Sequence, residues 1–132
     1  MNEELQAEII ALLAAGLAFE VFGAVPQDQD WPYVVCGTPS SEPRDTDDSN
    51  GALVRVPVRL FNQSGAVAEA TSFVDQVRAV LHHTDDLDLT TATVVTVYVE
   101  GTSVEEPSED GKARETVVTV AVLVDDIITG TF

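Results

Sequence analysis

The sequence predicts an α+β fold: an antiparallel β-sheet of about four to five strands with two main helices packed on one face. Two segments repeat apolar residues at helical spacing, and several others alternate apolar and polar residues with the period of two typical of strands. The chain has 132 residues, which favours one domain over 1–125 and a C-terminal tail over 126–132.

The first helix is predicted over 3–16. Its apolar face consists of Leu5, Ile9, Leu12, Leu13 and Gly16. Glutamates in the first turn favour the positive end of the helix dipole. The second helix is predicted from Gly65 to about His83. Its apolar stripe consists of Ala66, Ala70, Phe73, Val74, Val77 and Leu81, at the spacing of a half-buried helix.

Strands are predicted where β-forming residues cluster between turn signals. They cover residues 19–25, 33–37, 52–62, 92–100 and 115–124. The last two flank an acidic connector over 101–113 and form a predicted hairpin. Residues 38–51 contain prolines and a glycine but no large apolar side chain. We therefore expect a polar loop there, without a packed element.

The strand over 52–62 alternates clearly. One side carries Val54, Val56, Val58 and Leu60, and the other carries Leu53, Arg55, Pro57, Arg59 and Phe61. Pro57 cannot donate a ladder hydrogen bond, which predicts an open sheet edge at this position. Two arginines among apolar groups suit a partner surface. A solvated edge guarded by charge is the alternative.

The charge is strongly negative, with 23 acidic and 6 basic residues giving −17. Such a chain repels nucleic-acid phosphates and anionic membranes. No apolar run reaches the roughly 18 residues that cross a bilayer. Multimolar salt would screen the self-repulsion, since the Debye length falls to about 3 Å at 1 M. The composition therefore suggests a salt-rich cytoplasm, as in haloarchaea; an acidic mesophilic protein is the alternative.

No catalytic signature is present: the chain lacks a phosphate-binding loop with lysine, a nucleophile elbow and a zinc pattern of paired cysteines. Cys36 lies in an apolar run and is expected to be a small buried hydrophobe. His82 and His83 are adjacent on a helix, about 100° apart, so they suit the helix end better than one metal ion. We expect no enzyme activity and no cofactor.

Three acidic clusters are alternative sites for Ca²⁺ or Mg²⁺. They are Asp45/Asp47/Asp48, Asp85/Asp86/Asp88 and Glu105/Glu106/Glu109/Asp110. None has the spacing of a calcium loop, so we expect solvated acids and no metal. Trp31, with Tyr33 beside it, is expected to anchor a loop to the core, and a ligand platform is the alternative.

A block of residues resembles a known family. Val25-Pro26-Gln27, followed by Trp31-Pro32-Tyr33-Val34-Val35-Cys36-Gly37, is similar to the "VPQ…PYVVLG" block of the tail-completion and tail-terminator family of tailed phages, archaeal tailed viruses and gene-transfer agents. The order that follows also fits: the strand Val54 to Phe61, then Gly65, Glu69-Ala70, Val77-Arg78 and Val80-Leu81. Cys36 departs from the family's aliphatic residue.

The resemblance implies a structural virion protein. Members of such a family form a homohexameric ring at the head-proximal end of the tail tube, where it ends tube polymerisation and joins the head-side neck connector. DNA would pass through its lumen without specific binding, and no membrane is involved. The residues we expect at contacts with other copies, the tube protein and the connector are Trp31, Arg44, Asp47, Asp48, Arg55, Arg59, Phe61, Ile127, Ile128 and Phe132.

Two alternatives differ in function. A neck or connector-completion protein has a similar size and would meet the portal side only. A small host ligand-binding domain would use a pocket near Trp31 and Tyr33.

Overall fold

A computed structural model describes residues 2–17, 19–24, 32–44, 51–63, 67–82, 84, 87–105 and 113–125. In chain order its elements are α1 (Asn2–Gly16), β1 (Val21–Phe22), β2 (Tyr33–Cys36), β3 (Ser40–Pro43), β4 (Ala52–Gln63), α2 (Val67–Leu81), β5 (Thr93–Glu105) and β6 (Ala113–Asp125). The predicted α+β class is confirmed, and both helices lie close to their predicted positions.

The described strands form one six-stranded sheet, more than the four to five predicted. Its order is β1-β2-β4-β6-β5, and β3 pairs with β4 beside β2. The pairs made by β4 and by β6 are antiparallel, but β1 runs parallel to β2. The sheet is therefore mostly antiparallel, as predicted, with one parallel pair at this edge. The connection between β1 and β2 is much longer than a tight hairpin, which a parallel pair requires.

Both helices pack on the same face of the sheet and close one core. The helices contribute Leu5, Ile9, Leu13, Phe73, Val77 and Leu81, and β4 and β6 contribute Val54, Val56, Val58, Leu60, Val118, Val120, Val122 and Val124. Burying each large aliphatic or aromatic side chain stabilises the fold by roughly 1.5–3 kcal/mol. This core confirms the alternation predicted for β4 and the predicted α2 stripe from Ala70 to Leu81; Ala66 lies outside the described residues.

A strand lies within the predicted loop over 38–51. Residues Ser40–Pro43 form β3, which pairs with β4 in the register Ser40↔Arg55 to Pro43↔Ala52. All four side chains of β3 are exposed. A strand with no buried side has no apolar alternation, so the sequence gives no signal for it. The pairing follows from the free backbone groups at the edge of β4.

Pro57 does not lie at an open edge, contrary to prediction. β4 is flanked by β6 along its full length and by β2 and β3 on its other side. Pro57 falls where β2 ends and β3 has not begun, and its carbonyl accepts a 2.8 Å hydrogen bond from the Gly37 amide. In an antiparallel strand the nitrogen of a residue points to the same side as its carbonyl. The missing donor therefore faces this gap.

The N-terminal turns of α1 are fastened to two distant segments. The amides and hydroxyls of Thr90 and Thr91 donate to the Glu4 carboxylate. These hydrogen bonds, the Thr90 hydroxyl first, lower the pKa of Glu4 to about 2. Gln6 Nε2 donates to the carbonyls of Cys36 (3.0 Å) and Gly37 (3.1 Å). One helix end thus positions the approach to β5 and the end of β2.

The long free edge of the described sheet belongs to β5. This strand pairs with β6 on one side, with irregularities at Val95 and Glu100. It extends to Glu105, and β6 begins at Ala113, so the predicted connector over 101–113 is strand at its start and at its end. The segment between them lies outside the described residues. The Val99 amide of this edge donates to Nδ1 of His82 at 3.0 Å, which ties the end of α2 to β5.

Candidate assembly surface

Neither described helix packs on the second face of the sheet. We call this second face the open sheet face. Strand register and alternation place on it Tyr33, Val35, Glu42, Leu53, Arg55, Pro57, Arg59, Phe61, Tyr98, Glu100, Glu115, Val117, Thr119, Ala121 and Leu123. The residues that precede and follow most of them along each strand point into the core. Alternate residues of each strand point to opposite faces, so the alternation that directs apolar side chains into the core also directs polar, charged and aromatic side chains to this second face.

Arg55 is the centre of an ion-pair network on the open sheet face. Its Nη1 lies 3.1 Å from Glu42 Oε2 on β3, and its Nε lies 3.1 Å from Glu100 Oε2 on β5. Hydrogen bonding to Glu42, and then to Glu100, raises the pKa of Arg55. The guanidinium therefore stays charged at any working pH. It connects Glu42 on β3 with Glu100 on β5, two strands that are not neighbours in the sheet.

The Arg55 side chain crosses β6 to reach Glu100. Ala121 is the β6 residue in register with Arg55, and Tyr98 of β5 is in register with Ala121. Ala121 is 0% exposed, although it lies on the open sheet face. A larger side chain at this position would stand in the path of the guanidinium. The small residue on the middle strand thus permits the long-range pair.

Two further arginines extend the network. Nη1 of Arg59 lies 2.6 Å from Glu115 Oε1 on β6, and Nη1 of Arg44 lies 3.4 Å from Glu42 Oε1. Exposed pairs of this kind each contribute about 0–1 kcal/mol to stability. Their larger effect is on the surface charge.

The open sheet face carries little net charge for so acidic a chain. Three arginines pair with three glutamates there. Asp125, on the same side of β6 as Leu123, adds one negative charge among the described side chains. The whole chain carries −17. Two like-charged copies repel wherever acidic surfaces meet, and the repulsion is weakest where each surface is neutral. This face is therefore suited to close contact with a second copy of the chain, at a surface that also carries little charge.

An aromatic group occupies one end of the open sheet face. Tyr33 of β2 stacks on Phe61 of β4, with ring centroids 5.2 Å apart. Phe22 of β1 meets Tyr33 edge-on at 6.2 Å. Phe22 and Phe61 are half-buried, so part of each ring remains accessible. Aromatic rings supply large contact area at protein interfaces.

The structure brings together four of the predicted contact residues. Arg55, Arg59 and Phe61 lie on β4 within the open sheet face, and Arg44 reaches it from the end of β3. The other predicted residues, Trp31, Asp47, Asp48, Ile127, Ile128 and Phe132, lie outside the described residues. Their roles stay predictions.

Sequence reasoning missed the acidic partners of these arginines. The sequence pattern places Glu42 in a loop and Glu100 and Glu115 at strand ends. Each glutamate points to the open sheet face, as does the arginine with which it pairs. Their positions follow from strand register, which local spacing does not provide. The alternation of β6 places Glu115 and Val117 on one side and was the available signal.

The described residues do not assemble an evident metal or nucleophile site. Among them, no three histidine, cysteine, aspartate or glutamate residues are grouped to hold a metal ion. Cys36 is fully buried, as predicted, and burial raises the pKa of its thiol to about 12. A thiol that stays protonated is a poor nucleophile and metal ligand. Except for exposed Asp88 and the backbone of Glu105, the acidic clusters proposed for cations lie outside the described part of the chain.

A surface depression of about 290 Å³ lies near the start of β5, away from Tyr33. Its lining includes Leu87, Asp88, Ala92 and Val95. Neither described helix has the length and apolar character needed to span a membrane.

Comparison with known proteins identifies the family. Residues 5–125 match the family of tail completion protein gp17, so the chain belongs to this family and is a structural protein of the virion tail. The fold is also similar to that of a chain in the virion of a native gene transfer agent particle. The TM-score is 0.74, with 20% identity over 91% of this chain and 94% of that chain. No curated protein matches the sequence.

Proposed function

We propose that the chain forms a closed ring of six identical subunits at the head-proximal end of the tail tube. The ring stops tube polymerisation and joins the tail to the head-side connector. Family membership over residues 5–125 supports a role in tail completion. The observation that carries the contact assignment is the open sheet face, a partly aromatic surface of low net charge on a chain of charge −17.

The chemistry required for this role is binding, and the chain's side chains do no covalent work in it. A head-to-tail contact between identical subunits gives a closed ring when the rotations from each subunit to the next add up to one full turn. The open sheet face supplies such a contact, and the residues predicted at 38–51 and 126–132 supply contacts to the tube protein and the connector. An acidic lumen lets anionic DNA pass without adhering, because like charges repel.

The test is the production of particles that lack this chain. We expect tail tubes of uncontrolled length that are not attached to heads, with complementation by the wild-type chain. Thr119→Glu places a charge on the open sheet face and should fail to complement, whereas Ala79→Glu, on an exposed position of α2, should succeed. Tails of normal length on particles without the chain would contradict the role in termination.

Binding to the tube protein separates this role from that of a neck protein. A chain that terminates the tail must bind assembled tube ends, whereas a connector-completion protein binds the portal side alone. Co-sedimentation with polymerised tube protein should therefore retain the wild-type chain and lose the double variant Asp47→Ser, Asp48→Ser, which leaves β3 in place. Retention of the double variant would remove Asp47 and Asp48 from the contact.

We also propose that the virus assembles in a salt-rich cytoplasm, as in haloarchaea. The supporting observation is the excess of 23 acidic over 6 basic residues. Salt screens their mutual repulsion and so favours the compact state. Circular dichroism should show unfolding in dilute buffer and a folded chain in multimolar salt. Full stability in dilute buffer would contradict the halophilic origin and leave the ring proposal intact.

A further inference from the structure

The two helices differ on the side that faces away from the sheet. α2 exposes Asp75 and Arg78, as an ordinary amphipathic helix does. The exposed residues of α1 after its first turn are Ala7, Ala11, Ala14, Ala15 and Gly16. Ala7 lies one turn after Glu3 and Glu4, so we call only Ala11, Ala14 and Ala15 the α1 outer face. The part of α1 after Glu8 is apolar on all sides, and such a surface is normally covered.

This neutral helix surface is unusual for the chain. About one residue in five is charged, yet no charged residue occurs between Ile9 and Phe19. Ile10 and Leu12 are half-buried beside the alanines, so the surface is not made of small residues alone. Water is a poor solvent for such a surface, and a covering partner would remove it from water.

The α1 outer face and the open sheet face point in opposite directions. The helices pack on one side of the sheet, so the outward side of α1 and the uncovered side of the sheet are the two outer surfaces of a two-layer molecule. A head-to-tail contact requires two different patches on each subunit, because one patch binds the preceding subunit and the other binds the following subunit. These two surfaces meet that requirement.

We infer that α1 of one subunit packs on the open sheet face of the next. The contact supplies a helical layer on this face, and layers of helix on both faces of a sheet are a stable arrangement. The inference rests on the proposed ring and names the two surfaces that close it. The occupant is a second copy of this chain, because two subunits of charge −17 repel each other least where both surfaces carry little net charge.

The dimensions of the two surfaces are compatible. α1 has 15 residues, which corresponds to a length of about 22 Å. β4, the strand at the middle of the open sheet face, has 12 residues, which corresponds to about 40 Å. The helix therefore fits within the sheet, and its uncharged part is long enough to cover the aromatic group or the crossing of Arg55 over β6.

Single substitutions test each surface. Ala11→Glu places a charge on the α1 outer face, and Thr119→Glu places one on the open sheet face; both positions are accessible in the subunit, so the fold should persist. Ala79→Glu on α2 is the matched control. In multimolar salt, analytical ultracentrifugation should show rings for the wild type and the control, and subunits of 14.1 kDa for the two variants. Far-UV circular dichroism confirms that each variant is folded.

A mixture of the two variants is the decisive experiment. Each retains the surface that the other has lost, so an equimolar mixture should form one contact and give a heterodimer of twice the subunit mass. Rings from either variant alone, or a mixture that stays monomeric, would overturn the inference. Homodimers of one variant would show instead that like surfaces pair. A wild type that forms no ring at all would contradict the proposed function itself.

A second α1 variant separates burial from net charge. Ala11→Arg reduces the negative charge of the subunit but introduces a long side chain on the α1 outer face. If this face is buried against the next subunit, Ala11→Arg should also abolish the ring. Normal rings from Ala11→Arg would show that position 11 is not covered and would overturn the inference.

Discussion

Arg55 and Glu100 form an ion pair across a strand that lies between them. Nε of Arg55 is 3.1 Å from both carboxylate oxygens of Glu100, although β6 separates β4 from β5. The fully buried Ala121 marks the crossing point. The pair joins β5, at the edge of the sheet, to β4, at its middle, and it cancels one negative charge on the open sheet face.

The first prediction concerns this network. Arg55→Ala leaves Glu42 and Glu100 near each other without the cation between them. We expect a lower Tm, with a loss that shrinks as the salt concentration rises across the range in which the wild-type chain is folded, because added salt weakens the repulsion. The control is Arg78→Ala on α2. Equal losses for both variants, or a loss independent of salt, would contradict the network.

The second prediction concerns the gap at Pro57. A Cβ at Gly37 would lie 2.7 Å from Pro57 Cγ and 3.2 Å from its carbonyl oxygen, whereas a Cβ at Gly101 meets nothing within 4 Å. Gly37→Ala should therefore cost about 1–3 kcal/mol of unfolding free energy through overpacking. Gly101→Ala should change it by less than about 0.5 kcal/mol. Urea unfolding measures both values. Equal costs would show that Gly37 is not packed tightly against Pro57.

The third prediction is a pH dependence. The pKa of Glu4 is about 2 in the folded chain against 4.5 for the free side chain. A lowered pKa stabilises the fold above the unfolded value, and this stabilisation is lost as pH falls from about 4.5 toward 2. The Tm difference between the wild type and Glu4→Gln should therefore be largest above pH 5 and shrink on acidification. A difference that grows toward pH 2 would contradict the Thr90 and Thr91 contacts.

The fourth prediction concerns the edge of β5. His82 accepts a hydrogen bond at Nδ1 from the Val99 amide, so His82→Ala should leave that edge amide open to solvent or to another strand. Hydrogen exchange at Val99 should become faster, while exchange at Val120 on β6 should stay unchanged. Unchanged exchange at Val99 would show that other contacts protect the edge.

Much of the fold could be predicted from local pattern. The spacing of Phe73, Val77 and Leu81 indicated α2, and the alternation of β4 placed Val56 and Arg55 on opposite faces; both are observed. These elements are predictable because one side of each is buried and the other is not, so burial is recorded in the sequence with the period of the element.

The rest depended on contacts distant in sequence. β3 has no buried side chain, the parallel pairing of β1 and β2 depends on how the chain returns, and Pro57 is tolerated because two strands share one edge of β4. The ion pairs of Arg55 join residues 13 and 45 positions away. Such partners are set by register across the sheet, which no local period specifies.

The location of this chain in intact particles tests the central claim most directly. Class-averaged electron micrographs of particles, with the chain labelled, should show the label as a ring between the head connector and the tail tube. A label at the distal end of the tail, on the portal side alone or absent from the particle would contradict the account.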